Sequence, residues 1–228
     1  MPFLKKFIKL MKSELSKKKK KNRFSWTLDE EKYLRLSDVK KLRKACRKAR
    51  YIALKQVKSV IPRDWFMIEL GLNTGLRVEE MRELKCGDVH IQEGRSSISV
   101  RKGKGNRPRT VRINDEFRHR CKRFLEWKKK QGQGIDPDSY LLTTNKGTQL
   151  SKRALQKAFK KCIKKADLPE HYSIHSLRHT YGTYLLKASG YNLRLVQEQL
   201  GHSSVRVTEV YAGLLDSDVT RAVERLYK

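Results

Sequence analysis

Residues 98–113 read Ile98-Ser99-Val100-Arg101-Lys102-Gly103-Lys104-Gly105-Asn106-Arg107-Pro108-Arg109-Thr110-Val111-Arg112-Ile113. Ile98 and Val100 alternate with polar residues, glycines and an asparagine turn the chain, and Val111 and Ile113 alternate back. A period of two on both sides of a glycine-rich tip predicts an antiparallel β-hairpin. The flanking periods are helical. Val39, Leu42, Cys46, Ala49 and Ala53 recur at helical spacing behind Leu36-Ser37-Asp38, with Ser37 as the expected cap. Pro62 ends or restarts that element. Trp65, Phe66, Ile68, Leu70 and Leu72 then build a short apolar helix, which Gly75 breaks, and another opens near Arg77. Further helices are predicted at about 115–130, 151–166, 175–189, 192–200 and 216–227. Gln131-Gly132-Gln133-Gly134 and Asp136-Pro137-Asp138 form the main internal loop. The fold class is therefore mostly α with a small antiparallel β-sheet (α+β).

The chain has 228 residues, and its 54 Lys and Arg against 24 Asp and Glu leave a formal charge of +30. That length suits one domain with a real core. No run of about 18 apolar residues exists to span a membrane. So large a charge repels itself in isolation and implies a polyanionic partner, nucleic acid first and a membrane surface second. The membrane reading rests on residues 1–15 alone, where Phe3, Leu4, Phe7, Ile8, Leu10 and Met11 are interleaved with lysines. Those apolar residues never form an uninterrupted core, so no secretory signal is present and a cytoplasmic location follows. Lys17–Lys21 are five consecutive lysines; residues 1–32 read as a flexible basic arm or, more plainly, a solvated tail. Cys46, Cys86, Cys121 and Cys162 form no Cys-x-x-Cys pair and are expected to be small core residues.

Three local patterns carry chemistry. In Thr74-Gly75-Leu76-Arg77-Val78-Glu79-Glu80 an arginine follows a glycine break at a helix start, where its guanidinium can face a phosphate. Glu80, one turn on, can orient it; a surface i,i+3 ion pair explains the pattern as well. In His175-Ser176-Leu177-Arg178-His179 a spacing of three sets His175 and Arg178 on one face, with Leu177 toward the core. Arg178 offers a fork for phosphate oxygens and His175 a group that moves protons near neutral pH. His171, His175 and His179 are spaced like metal ligands, but Pro169 interrupts the helix and no carboxylate lies between them, so no metal site is expected. The third pattern is Leu200-Gly201-His202, followed nine residues later by Tyr211, for which Tyr181, Tyr184 and Tyr191 are compositional rivals.

In this order the patterns resemble the catalytic domain of the tyrosine recombinases, the Xer and phage-integrase group, over residues 33–228. The resemblance implies that Arg77 and Arg178 are catalytic arginines and that Lys104 is the hairpin lysine, with Lys102 as its rival. It further implies that His175 and His202 are the active-site histidines, Tyr211 the nucleophile, and Glu80 a supporting acid. Lys102, Arg107 and Arg109 are read as DNA contacts. Family members usually carry a helical core-binding domain before this part. With about 32 residues available, the resemblance implies a minimal single-domain form, similar in extent to the fimbrial-type invertases. The implied partners are duplex DNA, further copies in a synaptic tetramer, and accessory DNA-binding proteins. A bacterial host would place the protein at the nucleoid. The helix at 216–227, with Val219, Ala222, Val223, Leu226 and Tyr227 on one stripe, docks on a neighbouring subunit or packs on its own core.

The chemistry of that set stands on its own. A tyrosine of pKa about 10 attacks phosphorus when its phenolate is favoured. Two arginines neutralise the non-bridging oxygens as charge builds. In the roles that the resemblance implies, Lys104 would give a proton to the departing 5′-oxygen, His175 would act in proton transfer and His202 would hydrogen-bond the phosphate. The phosphotyrosine stores the bond energy, so neither cofactor nor metal is required. Two alternatives share the scaffold: a non-catalytic DNA-binding or architectural protein, and a type IB topoisomerase-like enzyme without a defined site.

Overall fold

The computed structural model describes residues 30–55, 60–92, 94, 96–101 and 108–202. A 3-10 turn at Glu30–Lys32 leads into α1 (Leu36–Lys55), α2 (Val60–Thr74) and α3 (Val78–Glu83). A 3-10 turn at Cys86–Asp88 precedes β1 (Val89–His90), β2 (Ser97–Val100) and β3 (Arg109–Arg112). Then come α4 (Asp115–Lys130), α5 (Lys152–Lys165), α6 (Ile174–Ala188) and α7 (Leu193–Leu200). The mostly helical class with one small antiparallel sheet is as the sequence pattern predicts. The predicted helix at 216–227 and the hairpin tip at 102–107 lie outside the described residues.

Helix α2 is the axis of the core because it is apolar on every side: Trp65 through Leu72 are all buried. Helices α1, α4, α5 and α6 pack around it. Phe66 stacks on Phe124 with ring centroids 3.9 Å apart, which locks α2 to α4. The one acid inside this apolar run, Glu69, is buried and paired with Arg43 of α1 at 3.1 Å and with Arg120 of α4. Pro62 falls in the first turn of α2, where its missing N–H would find no partner anyway, so it opens that helix.

Local caps set the helix starts. Asn114, Ser151 and Asn192 accept from the backbone N–H of Phe117, Ala154 and Leu195 at 2.9, 3.1 and 3.0 Å. For α1 the expectation of Ser37 as cap needs correction. The helix begins at Leu36, and Asp38 Oδ2 takes the Arg35 N–H at 3.3 Å. A carboxylate in the first turn reaches back further than the Ser37 hydroxyl and also gains from the helix dipole. Asp38 additionally accepts from the Tyr172 hydroxyl at 2.9 Å.

The sheet has order β1-β2-β3, all antiparallel, with Ile98 opposite both Val89 and Val111. These three residues are buried, so one face of the sheet rests on the core. The predicted hairpin thus gains a short third strand at Val89–His90. The long 131–151 connection lies on the core through Leu141, Leu142 and Leu150. All four cysteines are buried and free. Among the described residues no helix is long and apolar enough to cross a membrane.

Candidate active site

The chain leaves α2 through Gly75, whose φ of +60° sends it back across the end of α6 and α7. A β-carbon there would run into the Tyr181 ring and lie 2.8 Å from Leu200, so only glycine fits. That close approach lets one side chain join three separate sequence patterns. Arg178, on α6 and only 6% exposed, donates from Nη1 to the Gly75 carbonyl at 2.6 Å. Its Nη2 donates to the Leu200 carbonyl at 2.8 Å. Both acceptors end helices, where backbone carbonyls lack intrahelical partners, and together they fix the plane of the guanidinium.

Arg77 stands two residues past Gly75, immediately before α3. Its backbone N–H donates to Glu80 Oε2 at 2.8 Å and its Nη1 to Oε1 at 2.9 Å. The i,i+3 pair expected from spacing is therefore present, but it is more than a surface pair. Glu80 is buried, and the same two oxygens also accept from Arg109 Nη1 and Nη2, each at 2.8 Å. Burial alone would raise the Glu80 pKa. The hydrogen bonds and charge of Arg109, with those of Arg77, outweigh it and hold the carboxyl at about 2.

The histidines share this ground. His202 follows the left-handed cap Gly201, and its backbone N–H donates to Gln197 at 3.1 Å. Burial first, then Arg178, Arg77 and Arg109, push its pKa down to about 3. His175 opens to solvent in the first turn of α6, and partial desolvation followed by Arg178, Lys152 and Arg77 lowers its pKa. His179, one turn on and half-buried, is lowered to about 4 by burial, His175, Arg178 and Lys32. The lowered pKa values favour the neutral imidazole at all three, which leaves ring nitrogens able to take part in hydrogen bonds beside the two arginines. His171 precedes the helix and packs on the Tyr172 ring at 4.5 Å. Among the described residues no group of three or more His, Cys, Asp and Glu side chains is arranged to hold a metal ion.

Arg77, Arg178, His175, His202 and Glu80 thus come together. Lys104, its rival Lys102, Arg107 and Tyr211 lie outside the described residues. Arg109, expected as a DNA contact, has a side chain 9% exposed that pairs with Glu80. Two of the rival tyrosines, Tyr181 and Tyr184, have phenols that burial lifts. The Tyr181 hydroxyl donates to Gln199 Oε1 at 3.2 Å and burial lifts its pKa to about 12. Tyr184 packs edge-on against Tyr33, and burial raises its phenol too. Sequence reasoning missed Lys152, which pairs with Glu79 at 3.4 Å and adds positive charge near His175. Its signal was its place next to the Ser151 cap, which points the helix start at this end of the fold.

Known proteins resemble this chain in sequence and in fold. The profile described as the Phage integrase family matches residues 32–217. Tyrosine recombinase XerC of Actinobacillus pleuropneumoniae serotype 7 is 36% identical over 152 residues, covering 67% of this chain and 47% of that protein. The chain thus spans about half the length of such relatives. Among solved structures, XerA recombinase superposes with a TM-score of 0.68 at 28% identity, covering 86% of this chain and 65% of XerA. XerH site-specific recombinase, bound to a palindromic difH substrate in a post-cleavage complex, also gives 0.68, at 26% identity over 86% of this chain and 53% of XerH.

Proposed function

The chain belongs to the phage integrase family of tyrosine recombinases, and from that premise we propose that it cleaves and rejoins duplex DNA at defined sites through a 3′-phosphotyrosyl intermediate on Tyr211. The observation that carries the reading is Arg178, which holds the carbonyls of Gly75 and Leu200 together and so gathers Arg77 and His202 around its own guanidinium. An excess of cations with a single buried acid suits an anion, and two guanidinium forks suit the non-bridging oxygens of one phosphodiester.

The roles follow from charge and protonation. Arg77 and Arg178 stabilise the negative charge that grows on phosphorus, and both are held before substrate arrives. Neutral His175 accepts the phenolic proton of Tyr211 or relays it, and His202 hydrogen-bonds the phosphate. Lys104 protonates the 5′-oxygen as it departs. Strand exchange is the reverse reaction with a partner's 5′-hydroxyl. Duplex DNA is the substrate, with a tetramer of this chain at the synapse and accessory DNA-binding proteins as further partners. Arg109 positions Glu80 rather than touching DNA, and the Lys17–Lys21 run adds phosphate contact outside the site.

Incubation with a pool of randomised nicked duplexes in a chelator tests this reading. The expected result is a denaturation-resistant protein–DNA adduct with a free 5′-hydroxyl, enriched for one sequence. An adduct without sequence preference would indicate the topoisomerase alternative, and no adduct the architectural one.

A further inference from the structure

Arg109 opens β3, directly after the residues 102–107 that carry Lys102 and Lys104. Its guanidinium forms a two-pronged pair with Glu80, Nη1 to Oε1 and Nη2 to Oε2, each at 2.8 Å. A third N–H, on Nε, donates to the Gln199 carbonyl at 3.2 Å. On the way its side chain crosses Gly201, where a β-carbon would lie 2.6 Å from Cδ. Gln199 completes the contact: its Oε1 accepts the backbone N–H of Arg112 at 3.2 Å. One buried guanidinium therefore joins three things: the strand leaving the lysine hairpin, the acid that holds Arg77, and the turn that carries His202.

We propose that Arg109 is a positioning residue for phosphoryl transfer, orienting Arg77 through Glu80 and anchoring the His202 turn to β3. The proposal rests on the recombinase reading above. In that reaction the bond from Tyr211 oxygen to phosphorus forms as the bond from phosphorus to the 5′-oxygen breaks. The phenolic proton leaves and another is delivered to the 5′-oxygen. Arg109 touches none of these atoms. It acts because both contacts of Arg77 with Glu80 end on the carboxylate that Arg109 grips. If that carboxylate rotates, the Arg77 fork leaves the line of the phosphate. Lysine cannot replace a planar, two-pronged donor.

The test uses the full chain with a suicide duplex bearing the selected site, made with either an ordinary phosphodiester or a methylphosphonate at the scissile position. A methylphosphonate lacks one charged oxygen, so cleavage depends less on the arginine clamp. Arg109→Lys is expected to keep wild-type DNA affinity and salt dependence, while single-turnover adduct formation falls about 100-fold on the phosphodiester. The deficit should shrink by about tenfold or more on the methylphosphonate. Weakened affinity with unchanged single-turnover cleavage would overturn the proposal in favour of a DNA contact. An equal deficit on both substrates would overturn it as well. Should Arg109→Lys fail to fold, the charge-neutral double variant Glu80→Gln with Arg109→Met is held to the same outcomes. An inactive wild type would sink the recombinase reading itself, whereas an active wild type with an equally active Arg109→Lys overturns the positioning role alone.

Discussion

Arg178 Nη1 lies 2.6 Å from the carbonyl oxygen of Gly75, 103 residues away in sequence. Together with the Leu200 carbonyl this contact makes Arg178 part of the fold as well as of the proposed phosphate clamp. Arg178→Lys should therefore lose on both counts. A lysine cannot reach both carbonyls, which costs about 1–3 kcal/mol of stability, and adduct formation should fall about 100- to 1,000-fold. Arg77, with a side chain 25% exposed, is held at its rim by Glu80. Arg77→Lys should cost a similar factor in rate with little change in melting temperature. Thermal melts beside adduct assays check the contrast, and equal destabilisation of the two variants would count against it.

Gly201 has φ +64° and lies beneath the Arg109 side chain. Gly201→Ala adds left-handed backbone strain of about 1–2 kcal/mol, and its methyl group would press on Arg109 Cδ and Nε. Both effects act on the turn before His202. Lower denaturation midpoints and slower cleavage are expected together; an alanine variant with wild-type stability would contradict the packing described.

The folded protein should weaken in acid. Burial, then the cations around them, hold His179 at about 4 and His202 at about 3, against 6.5 for an unperturbed imidazole. Between these values the unfolded chain binds more protons than the folded one, so stability is full above about pH 6.5 and declines toward about pH 3. Each histidine contributes a slope of at most about 1.4 kcal/mol per pH unit. Denaturant titrations across that window should show a shallower decline in His179→Gln; identical slopes would refute the assignment.

The five lysines of Lys17–Lys21 are proposed to contact DNA phosphates. Removing residues 1–23 should weaken DNA binding and reduce the log–log salt slope by about 0.9 for each phosphate that these lysines neutralise. Filter binding over a salt series measures it, and an unchanged slope would rule out phosphate contact by this segment.

Much of this was legible beforehand because the determinants are local. The apolar run of α2, the caps Asn114, Ser151 and Asn192, and the period-two alternation around Ile98 each specify their element from neighbours in sequence. The candidate site residues stood out as spaced patterns: Arg77 lies just before a helix start, Arg178 is three residues after His175, and His202 follows a glycine. Arg109 was not. In a chain of net charge +30 an arginine beside a hairpin tip resembles any other phosphate contact. Its true partners, Glu80 and Gln199, are 29 and 90 residues away. The Ser37 cap failed for a related reason: Ser37 and Asp38 both suit the helix start, and beside the carboxylate's longer reach a distant group, the Tyr172 hydroxyl, favours the second.

The most direct measurement is to trap the covalent complex on a suicide duplex and map the attached nucleotide to its residue by peptide mass analysis, for wild type and for Tyr211→Phe. A 3′-phosphotyrosyl adduct is expected on the peptide containing Tyr211, and none in the variant. An adduct that persists in Tyr211→Phe, or that maps to Tyr181, Tyr184 or Tyr191, would contradict it.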